Sequence, residues 1–236
     1  MKWLVATLVE KIFETSTACT LIYDVDGWPG HQPGQHIDVR LTAEDGYSAQ
    51  RSYSLAQPSD GDRIALTVQS VADGEVSPYL TSTLEVGEQI EIRGPIGGWF
   101  VWNEARQSPV LLLAGGSGIV PLMAMMRARS RSARKIPFLL IYSVRSPADL
   151  IYARELRSLP EGIDVGYRFT RKAPPEHDGR VGRLTAQDLE SGGWEPDSSP
   201  DCFVCGPTGF VESAADMLVE IGHAPYRIRT ERFGTT

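Results

Sequence analysis

The chain has 236 residues, of which 42% are hydrophobic and 22% are charged. These values are ordinary for a folded globular protein and exclude a disordered chain. The net charge of −7 is split unevenly, because residues 1–105 carry 6 Lys and Arg against 15 Asp and Glu, whereas residues 106–236 carry 17 against 15. This division predicts two domains, 1–105 and 106–236, and neither half is basic enough to indicate a nucleic-acid partner.

The sequence gives little indication of a membrane-spanning segment or of a metal site. No apolar run approaches the roughly 20 residues of a membrane-spanning helix, and the N-terminus alternates like a strand instead of forming a signal peptide. We therefore expect a cytoplasmic protein with no membrane partner. Three cysteines are too few for a disulfide framework or a four-cysteine iron–sulfur cluster. Cys202 and Cys205 have CxxC spacing, but residues three apart on a strand point to opposite faces, so we expect no metal site.

Short runs of alternating polarity, separated by turn clusters, dominate the chain before residue 105. They predict strands over residues 3–12, 18–25, 36–41, 51–55, 63–71 and 89–92. Many short strands with regular turns favour an antiparallel β-barrel.

After residue 105, buried-type apolar runs alternate with helical patterns. Strands are predicted over residues 110–114, 138–142, 165–169 and 203–205, and helices over residues 119–129, 148–158 and 210–221. This alternation predicts an α/β domain with a parallel sheet flanked by helices, similar to a Rossmann domain.

The run Arg51-Ser52-Tyr53-Ser54 combines a cation, an aromatic ring and hydroxyls in a predicted strand. The planar guanidinium of Arg51 suits a phosphate. Tyr53 faces the same side of the strand, where its ring can stack on a flavin. Ser54 points to the other side unless the strand bends. An ordinary barrel strand with a surface arginine explains the same residues equally well.

A second signal follows at Gly74-Glu75-Val76-Ser77-Pro78. Ser77 is a favourable N-cap and Pro78 suits the first helical position, so we expect a helix to begin here. Its free N–H groups would face an anion, and Gly74 would let the backbone approach phosphates closely. A helix that only seals the end of the barrel explains the same run.

The third signal is Gly115-Gly116-Ser117-Gly118, between a predicted strand and a predicted helix. It departs from the strict GxGxxG spacing, but its position is where a dinucleotide pyrophosphate binds. A tight strand–helix turn without a ligand is the alternative. Two nucleotide sites on one chain indicate that electrons pass between two redox cofactors.

In the order and spacing of these motifs, nearly the whole chain resembles the ferredoxin–NADP reductase superfamily, in its branch of oxygenase-type reductases. The family's RxYS motif matches Arg51, Tyr53 and Ser54, and its glycine followed by Ser or Thr matches Gly74 and Ser77. The GG[TS]GxxP loop matches residues 115–121, and Cys-Gly-Pro matches Cys205, Gly206 and Pro207. The Gly-Pro-x-Gly-x-Phe segment resembles residues 94–100, with one residue inserted.

The resemblance implies FAD on the barrel and NAD(P)H on the second domain. It places Arg51 on the flavin pyrophosphate, Tyr53 on the isoalloxazine and Ser54 near flavin N5. The catalytic candidates are Ser54, Cys205 and Phe233, the last either covering the flavin or packing as a tail residue. The remaining candidate cofactor-binding residues are Ser52, Val68, Gly74, Glu75, Val76, Ser77, Gly115, Gly116, Ser117, Gly118, Ser143, Arg145, Arg154, Gly206 and Pro207.

Two cofactor choices follow. The loop at residues 69–74 is long enough to receive an adenine half, which favours FAD over FMN. The predicted strand 138–142 runs into Ser143 and Arg145, with no carboxylate before Asp149. An acidic residue there would bind the ribose of NADH, whereas Arg145, with Ser143 and Arg154, would pair with a 2′-phosphate. We therefore expect NADPH, with NADH possible.

The resemblance implies hydride transfer from NAD(P)H to FAD and then single electrons to a separate acceptor, a ferredoxin or an oxygenase component. A cluster at the end of the first helix predicts a docking face for an acidic acceptor, although cations are favoured at helix ends in any case. The cluster comprises Arg127, Arg129, Arg131, Arg134 and Lys135. The alternatives are a flavin reductase that uses free flavin as substrate and a non-catalytic flavin-binding regulatory subunit.

Overall fold

The computed structural model describes residues 2–192 and 194–233. Six antiparallel strands form the first sheet, in the order β4-β3-β6-β1-β2-β5. They span Leu4–Phe13 (β1), Ala18–Asp24 (β2), His36–Thr42 (β3), Ser48–Ser54 (β4), Arg63–Gln69 (β5) and Gln89–Ile96 (β6). A bridge between Leu55, directly after β4, and Leu66, in the middle of β5, joins the two edge strands. The sheet therefore closes into the predicted barrel.

Strand β5 shows how the barrel is built from alternating side chains. Its residues Ile64, Leu66 and Val68 point into the barrel core. Ala65, between them, points outward into a cluster shared with the second domain. The strand is therefore buried on both faces, which is why it reads as a nearly continuous apolar run.

The connection between β5 and β6 closes one end of the barrel with a short helical segment, a π-helical turn over Tyr79–Thr83. Pro78 occupies the N-cap, and no side chain caps the turn. The predicted N-cap at Ser77 is therefore wrong, because the Ser77 hydroxyl turns back and accepts a hydrogen bond of 3.1 Å from the Val71 amide. Leu80 and Leu84 anchor the segment in the barrel core.

Five parallel strands form the second sheet, in the order β11-β10-β7-β8-β9. They span Val110–Gly115 (β7), Phe138–Val144 (β8), Ile163–Phe169 (β9), Asp201–Pro207 (β10) and Ile228–Phe233 (β11). The parallel α/β architecture is as predicted, but the edge strand β11 was not expected, because its charged residues do not form a buried-type run.

The helices are α1 (Ile119–Arg131), α2 (Ala186–Gly192) and α3 (Thr208–Glu220). Residues of α1 pack in a cluster on one face of the parallel sheet, and residues of α2 and α3 pack in a cluster on the other. Among the described residues, no helix has both the length and the apolar character needed to cross a bilayer.

The predicted helix at residues 148–158 is wrong. This stretch contains two short 3-10 turns, Pro147–Asp149 and Glu155–Arg157. Between them Tyr152 adopts a positive φ of 61°, a conformation that ends any right-handed helix. Tyr152 is 3% exposed, so the local helical pattern gives way to burial of this side chain.

Tyr152 takes part in a buried chain of hydroxyls that joins the two domains. Its hydroxyl donates a hydrogen bond to Thr67 Oγ1 on β5. The Thr67 and Thr20 hydroxyls lie 2.8 Å apart, and Thr20 donates to Glu14 Oε1 at 2.8 Å. The Tyr152 amide completes the link by donating to Glu14 Oε2 at 3.2 Å. This network holds the barrel against the parallel sheet and so positions the junction where the candidate residues meet.

Candidate functional site

The end of the barrel strand β4 meets the parallel sheet at the carboxyl ends of β10 and β11. Ser54, which is 5% exposed, donates a hydrogen bond of 3.3 Å to Glu231 Oε1. Glu231 lies in register with Cys205 on the neighbouring strand. The structure therefore brings together Ser54 and Cys205, two of the predicted catalytic residues, with a carboxylate between the domains.

Glu231 was missed by the sequence reasoning. Burial raises the pKa of its carboxyl to about 7, although the hydrogen bond from Ser54 acts in the opposite direction. A group with this pKa exchanges its proton near neutral pH. The signal that would have found Glu231 is its place one strand away from the Cys-Gly-Pro motif, but it required recognition of β11.

Cys205 is fully buried, and burial raises the pKa of its thiol well above the ordinary value, with the nearby Glu231 adding to the effect. The thiol is therefore neutral at physiological pH and serves as a small packing group. Cys202, also buried, lies in the cluster on the opposite face of the sheet. The two cysteines thus point to opposite faces, as predicted from their strand spacing.

Arg51 and Tyr53 lie along β4 in the predicted arrangement. The Arg51 side chain is 56% exposed, and its guanidinium lies 3.5 Å from Glu75 Oε2. Tyr53 is half-buried, and burial raises the pKa of its phenol to about 12, so it stays neutral. Ser52 instead donates a hydrogen bond of 2.7 Å to Asp38, which gives its hydroxyl a partner within the barrel.

The turn at Gly74 is tightly built. A Cβ atom at this position would lie 3.1 Å from the Val71 carbonyl oxygen and 3.2 Å from Ser77 Oγ. The side chains of Val68 and Val76 fill the barrel core, at 0% and 1% exposure. These two valines therefore have only backbone groups to offer a cofactor, because strand and turn geometry direct their side chains inward.

Close packing requires glycine at two positions of the glycine loop at residues 115–118. A Cβ at Gly118 would lie 2.1 Å from the carbonyl oxygen of Cys205, and one at Gly115 would lie 2.6 Å from the ring of Phe210. Gly116 has a positive φ of 53° with open space where a Cβ would project. The half-exposed Gly116 and Ser117 therefore present a backbone surface that a phosphate can approach.

Apart from Arg154, which lies in the connection between β8 and β9, the remaining candidates lie along the same edge of the parallel sheet. Ser143 is in register with Gly115 and is 7% exposed, whereas Arg145 and Arg154 are exposed. Gly206 packs against the Gly115 carbonyl, where a Cβ would lie 2.9 Å away. At the top of β11, Phe233 is in register with Pro207 and packs against the cluster that contains α1.

The predicted docking face around the end of α1 is wrong for Arg129, and Arg127 is half-buried in an ion pair. Arg129 is 1% exposed and donates to the carbonyls of Ile136 at 2.9 Å and Glu161 at 2.8 Å. Arg127 donates to Glu155 at 2.9 Å and to the Ala56 carbonyl at 2.7 Å. Both arginines connect α1 to other parts of the fold, because each donates to backbone carbonyls outside the helix. Arg131, Arg134 and Lys135 are exposed.

Two protein-family models match the chain, one for each domain. The oxidoreductase FAD-binding domain matches residues 25–101, and the oxidoreductase NAD-binding domain matches residues 112–216. The first covers most of the barrel, and the second begins in β7 and ends in α3. The candidate flavin site around Arg51 therefore lies in the FAD-binding domain, and the glycine loop lies in the NAD-binding domain.

Curated relatives extend the match. A glycine betaine monooxygenase reductase subunit from Pseudomonas aeruginosa is 31% identical over 214 residues, which cover 87% of this chain and 57% of the relative. The reductase component of propane 2-monooxygenase from Mycolicibacterium smegmatis is 28% identical, over 79% of this chain and 54% of the relative. A flavohemoprotein from Pseudomonas putida is 30% identical, over 96% and 58%. The chain spans little more than half the length of these relatives.

Solved structures share the fold. The FAD/NAD-binding domain of nitric oxide dioxygenase from Vibrio cholerae superposes with a TM-score of 0.87 at 24% identity, covering 98% of this chain and 99% of that one. A ferredoxin NADP⁺ reductase from Neisseria gonorrhoeae, solved with FAD and NADP, gives a TM-score of 0.84 at 20% identity, with 98% and 99% coverage.

The barrel and the parallel sheet define a two-domain protein with an oxidoreductase FAD-binding domain and an oxidoreductase NAD-binding domain. The chain belongs to the ferredoxin–NADP reductase superfamily. Its own residues fit both cofactors, since the Arg51 side chain is 56% exposed on the same strand as Tyr53, and the glycine loop offers an open backbone surface at Gly116.

Proposed function

We propose that the protein moves a hydride from NAD(P)H to FAD and delivers single electrons to a separate acceptor. The observation that carries this proposal is the 3.3 Å contact between Ser54 and Glu231. It joins the flavin-type strand β4 to the strand beside the Cys-Gly-Pro motif. The cofactors supply the redox chemistry, and the protein supplies alignment and electrostatics.

Each residue of the proposed site has its own role in binding or aligning the cofactors. Arg51 and the tight turn at Gly74 hold the flavin phosphates, and the neutral phenol of Tyr53 lies against the ring system. The backbone of residues 115–118 holds the pyrophosphate of the nicotinamide cofactor. Cys205 and Ser54 shape the space in which the two rings meet. Glu231 holds or releases a proton at its carboxyl in the same space, as its pKa near 7 allows.

Cation placement favours NADPH over NADH. The carbonyl of Arg145 accepts the amides of Arg171 at 2.9 Å and Lys172 at 3.1 Å, so three cationic residues converge at the ends of β8 and β9. The first carboxylate after β8 is Asp149, which accepts a hydrogen bond of 2.6 Å from Ser146. A cationic edge suits a 2′-phosphate, whereas NADH-specific sites place a carboxylate on the ribose. Arg154, the other predicted cation, is exposed in the connection between β8 and β9.

The acceptor is proposed to be a protein, a ferredoxin or an oxygenase component. Relatives named as reductases of propane and glycine betaine monooxygenases and as the electron transfer component of toluate 1,2-dioxygenase support this choice. The exposed Arg131, Arg134 and Lys135 remain candidates for contact with an acidic carrier, because complementary charge speeds encounter.

One anaerobic experiment tests the core of the proposal. The purified protein should be yellow, release FAD when denatured, and lose its flavin absorbance when NADPH is added. A ferredoxin added next should be reduced one electron at a time. FMN as the sole released flavin would contradict the FAD assignment. Persistent absorbance with both NADPH and NADH, and no turnover with any dye acceptor, would favour a non-catalytic flavin-binding subunit.

A further inference from the structure

A carboxylate occupies the region assigned to the flavin phosphates. Glu75 Oε2 lies 3.5 Å from the Arg51 guanidinium, and Glu75 Oε1 accepts a hydrogen bond of 2.7 Å from the Tyr47 hydroxyl. The other terminal nitrogen of Arg51 donates to the Gln50 carbonyl at 2.7 Å. Arg51, the cation best placed to bind a phosphate, is therefore already paired with Glu75, a carboxylate of the turn at Gly74.

The geometry of this pair is loose. A second ion pair on the barrel, Arg40 with Glu91, makes two hydrogen bonds of 2.8 and 2.7 Å, whereas Arg51 and Glu75 make a single contact of 3.5 Å. Both partners are about half exposed, at 56% and 50%. Exposed pairs of this kind separate easily, so a phosphate can displace Glu75 from Arg51.

Displacement does not remove the carboxylate. Tyr47 holds Glu75 through a charge-assisted hydrogen bond, which is also the main reason why the pKa of Tyr47 is raised. A negative charge therefore remains beside any phosphate bound at Arg51. Like charges repel, and at a site this exposed the repulsion is weakened by water and salt but not abolished.

We propose that Glu75 is a competing counter-ion for Arg51 that lowers the affinity of the site for the phosphate part of the flavin. The inference rests on the proposed flavin site and adds a residue that sets how tightly the flavin is kept. Without Glu75, no carboxylate would compete with the flavin phosphate for Arg51, and the flavin would dissociate more slowly. With Glu75, the flavin is held less tightly than the arginine alone would allow.

The test uses flavin-depleted protein titrated with FAD, FMN and riboflavin by fluorescence quenching. Glu75→Gln removes the charge but keeps an oxygen that accepts from Tyr47. We expect this variant to bind FAD and FMN about 3- to 10-fold more tightly than the wild type, in line with the small energies of exposed pairs. Riboflavin, which lacks a phosphate, should bind equally to both proteins. The difference in FAD affinity between Glu75→Gln and the wild type should decrease as salt is added, because salt screens the repulsion between Glu75 and the phosphate.

Asp24→Asn provides the matched control. Asp24 pairs with Arg63 at 2.9 Å on the same barrel, and the two side chains are exposed to nearly the same extent, 48% and 55%. This variant should leave the affinities for all three flavins unchanged.

Equal FAD affinity in the wild type and Glu75→Gln would overturn the inference alone and leave the flavin site intact. An equal gain for riboflavin would also overturn it, because the effect would not then act through the phosphate. Binding of no flavin by either protein would overturn the proposed function and this inference together.

Discussion

Ser54 on β4 donates a hydrogen bond of 3.3 Å to Glu231 on β11, two residues that are 177 positions apart in the chain. This contact joins the last residue of a barrel strand to the edge strand of the parallel sheet. Because Glu231 is in register with Cys205, the contact also defines where the two halves of the proposed site meet. The first two predictions concern this pair.

Glu231 should make stability depend on pH. Its pKa in the folded protein is raised from 4.5 to about 7, so the folded state binds more protons than the unfolded state between these values. Stability therefore falls as pH rises through this interval. Glu231→Gln should remove the effect, and its stability relative to the wild type should grow by about 1–3 kcal/mol between pH 5 and pH 8.

Urea unfolding of flavin-free protein at both pH values measures this difference. Glu212→Gln is the control, since this carboxylate is 58% exposed and only 4.0 Å from Arg232. A stability difference between Glu231→Gln and the wild type that stays constant from pH 5 to pH 8 would show that the carboxyl titrates normally.

Ser54→Ala should slow flavin reduction on the order of 10-fold, because a hydrogen bond to an ionisable group in the site is lost. Stopped-flow absorbance with NADPH under anaerobic conditions measures the rate. Ser52→Ala removes another hydroxyl of β4, one that donates to Asp38 on β3, and should leave the rate near that of the wild type. Equal rates for Ser54→Ala and the wild type would remove Ser54 from the catalytic candidates.

Arg51→Ala should weaken FAD binding by about 10- to 150-fold, because a charge-assisted phosphate contact contributes roughly 1.5–3 kcal/mol. Equilibrium titration of flavin-depleted protein gives the dissociation constant. Arg63→Ala serves as the comparison, since Arg63 is similarly exposed and pairs with Asp24. Retention of a full complement of FAD through purification by Arg51→Ala would mean that the phosphates lie elsewhere.

Arg145→Ala should lower the preference for NADPH over NADH by about one to two decades in kcat/KM, through loss of one charged contact to the 2′-phosphate. Steady-state rates with both cofactors and a dye acceptor give the ratio. Arg131→Ala, at the end of α1, should not change it. A wild-type preference for NADH would reject the NADPH proposal, and an unchanged ratio in the Arg145 variant would reject this residue's role.

Tyr152→Phe should destabilise the protein by about 1–3 kcal/mol, because Thr67 loses its donor in a buried network. The midpoint of urea unfolding reports the loss. Tyr226→Phe removes a hydroxyl from a side chain that is 73% exposed and should have little effect. If both variants unfold at the wild-type midpoint, the buried hydroxyl chain does not contribute to holding the domains together.

Local patterns were sufficient to predict the barrel and most of the parallel sheet. Alternating polarity reports one buried face of a strand, and an apolar run such as β7 reports two, so neither needs information from distant residues. The motif around Arg51 and the glycines of residues 115–118 were also visible, because phosphate sites require particular residue types close together in the chain.

Tertiary structure decided what depends on distant partners. The run Ile228–Phe233 contains Arg229, Glu231 and Arg232, so its composition does not mark a buried strand, and only pairing with β10 reveals Glu231. Residues 148–158 have a helical pattern, but burial of Tyr152 between the domains prevents a helix. Arg129 resembles a solvated cation at a helix end, yet the fold surrounds it with carbonyl oxygens. In each case a contact across the fold outweighs a local preference, and no local periodicity encodes such a contact.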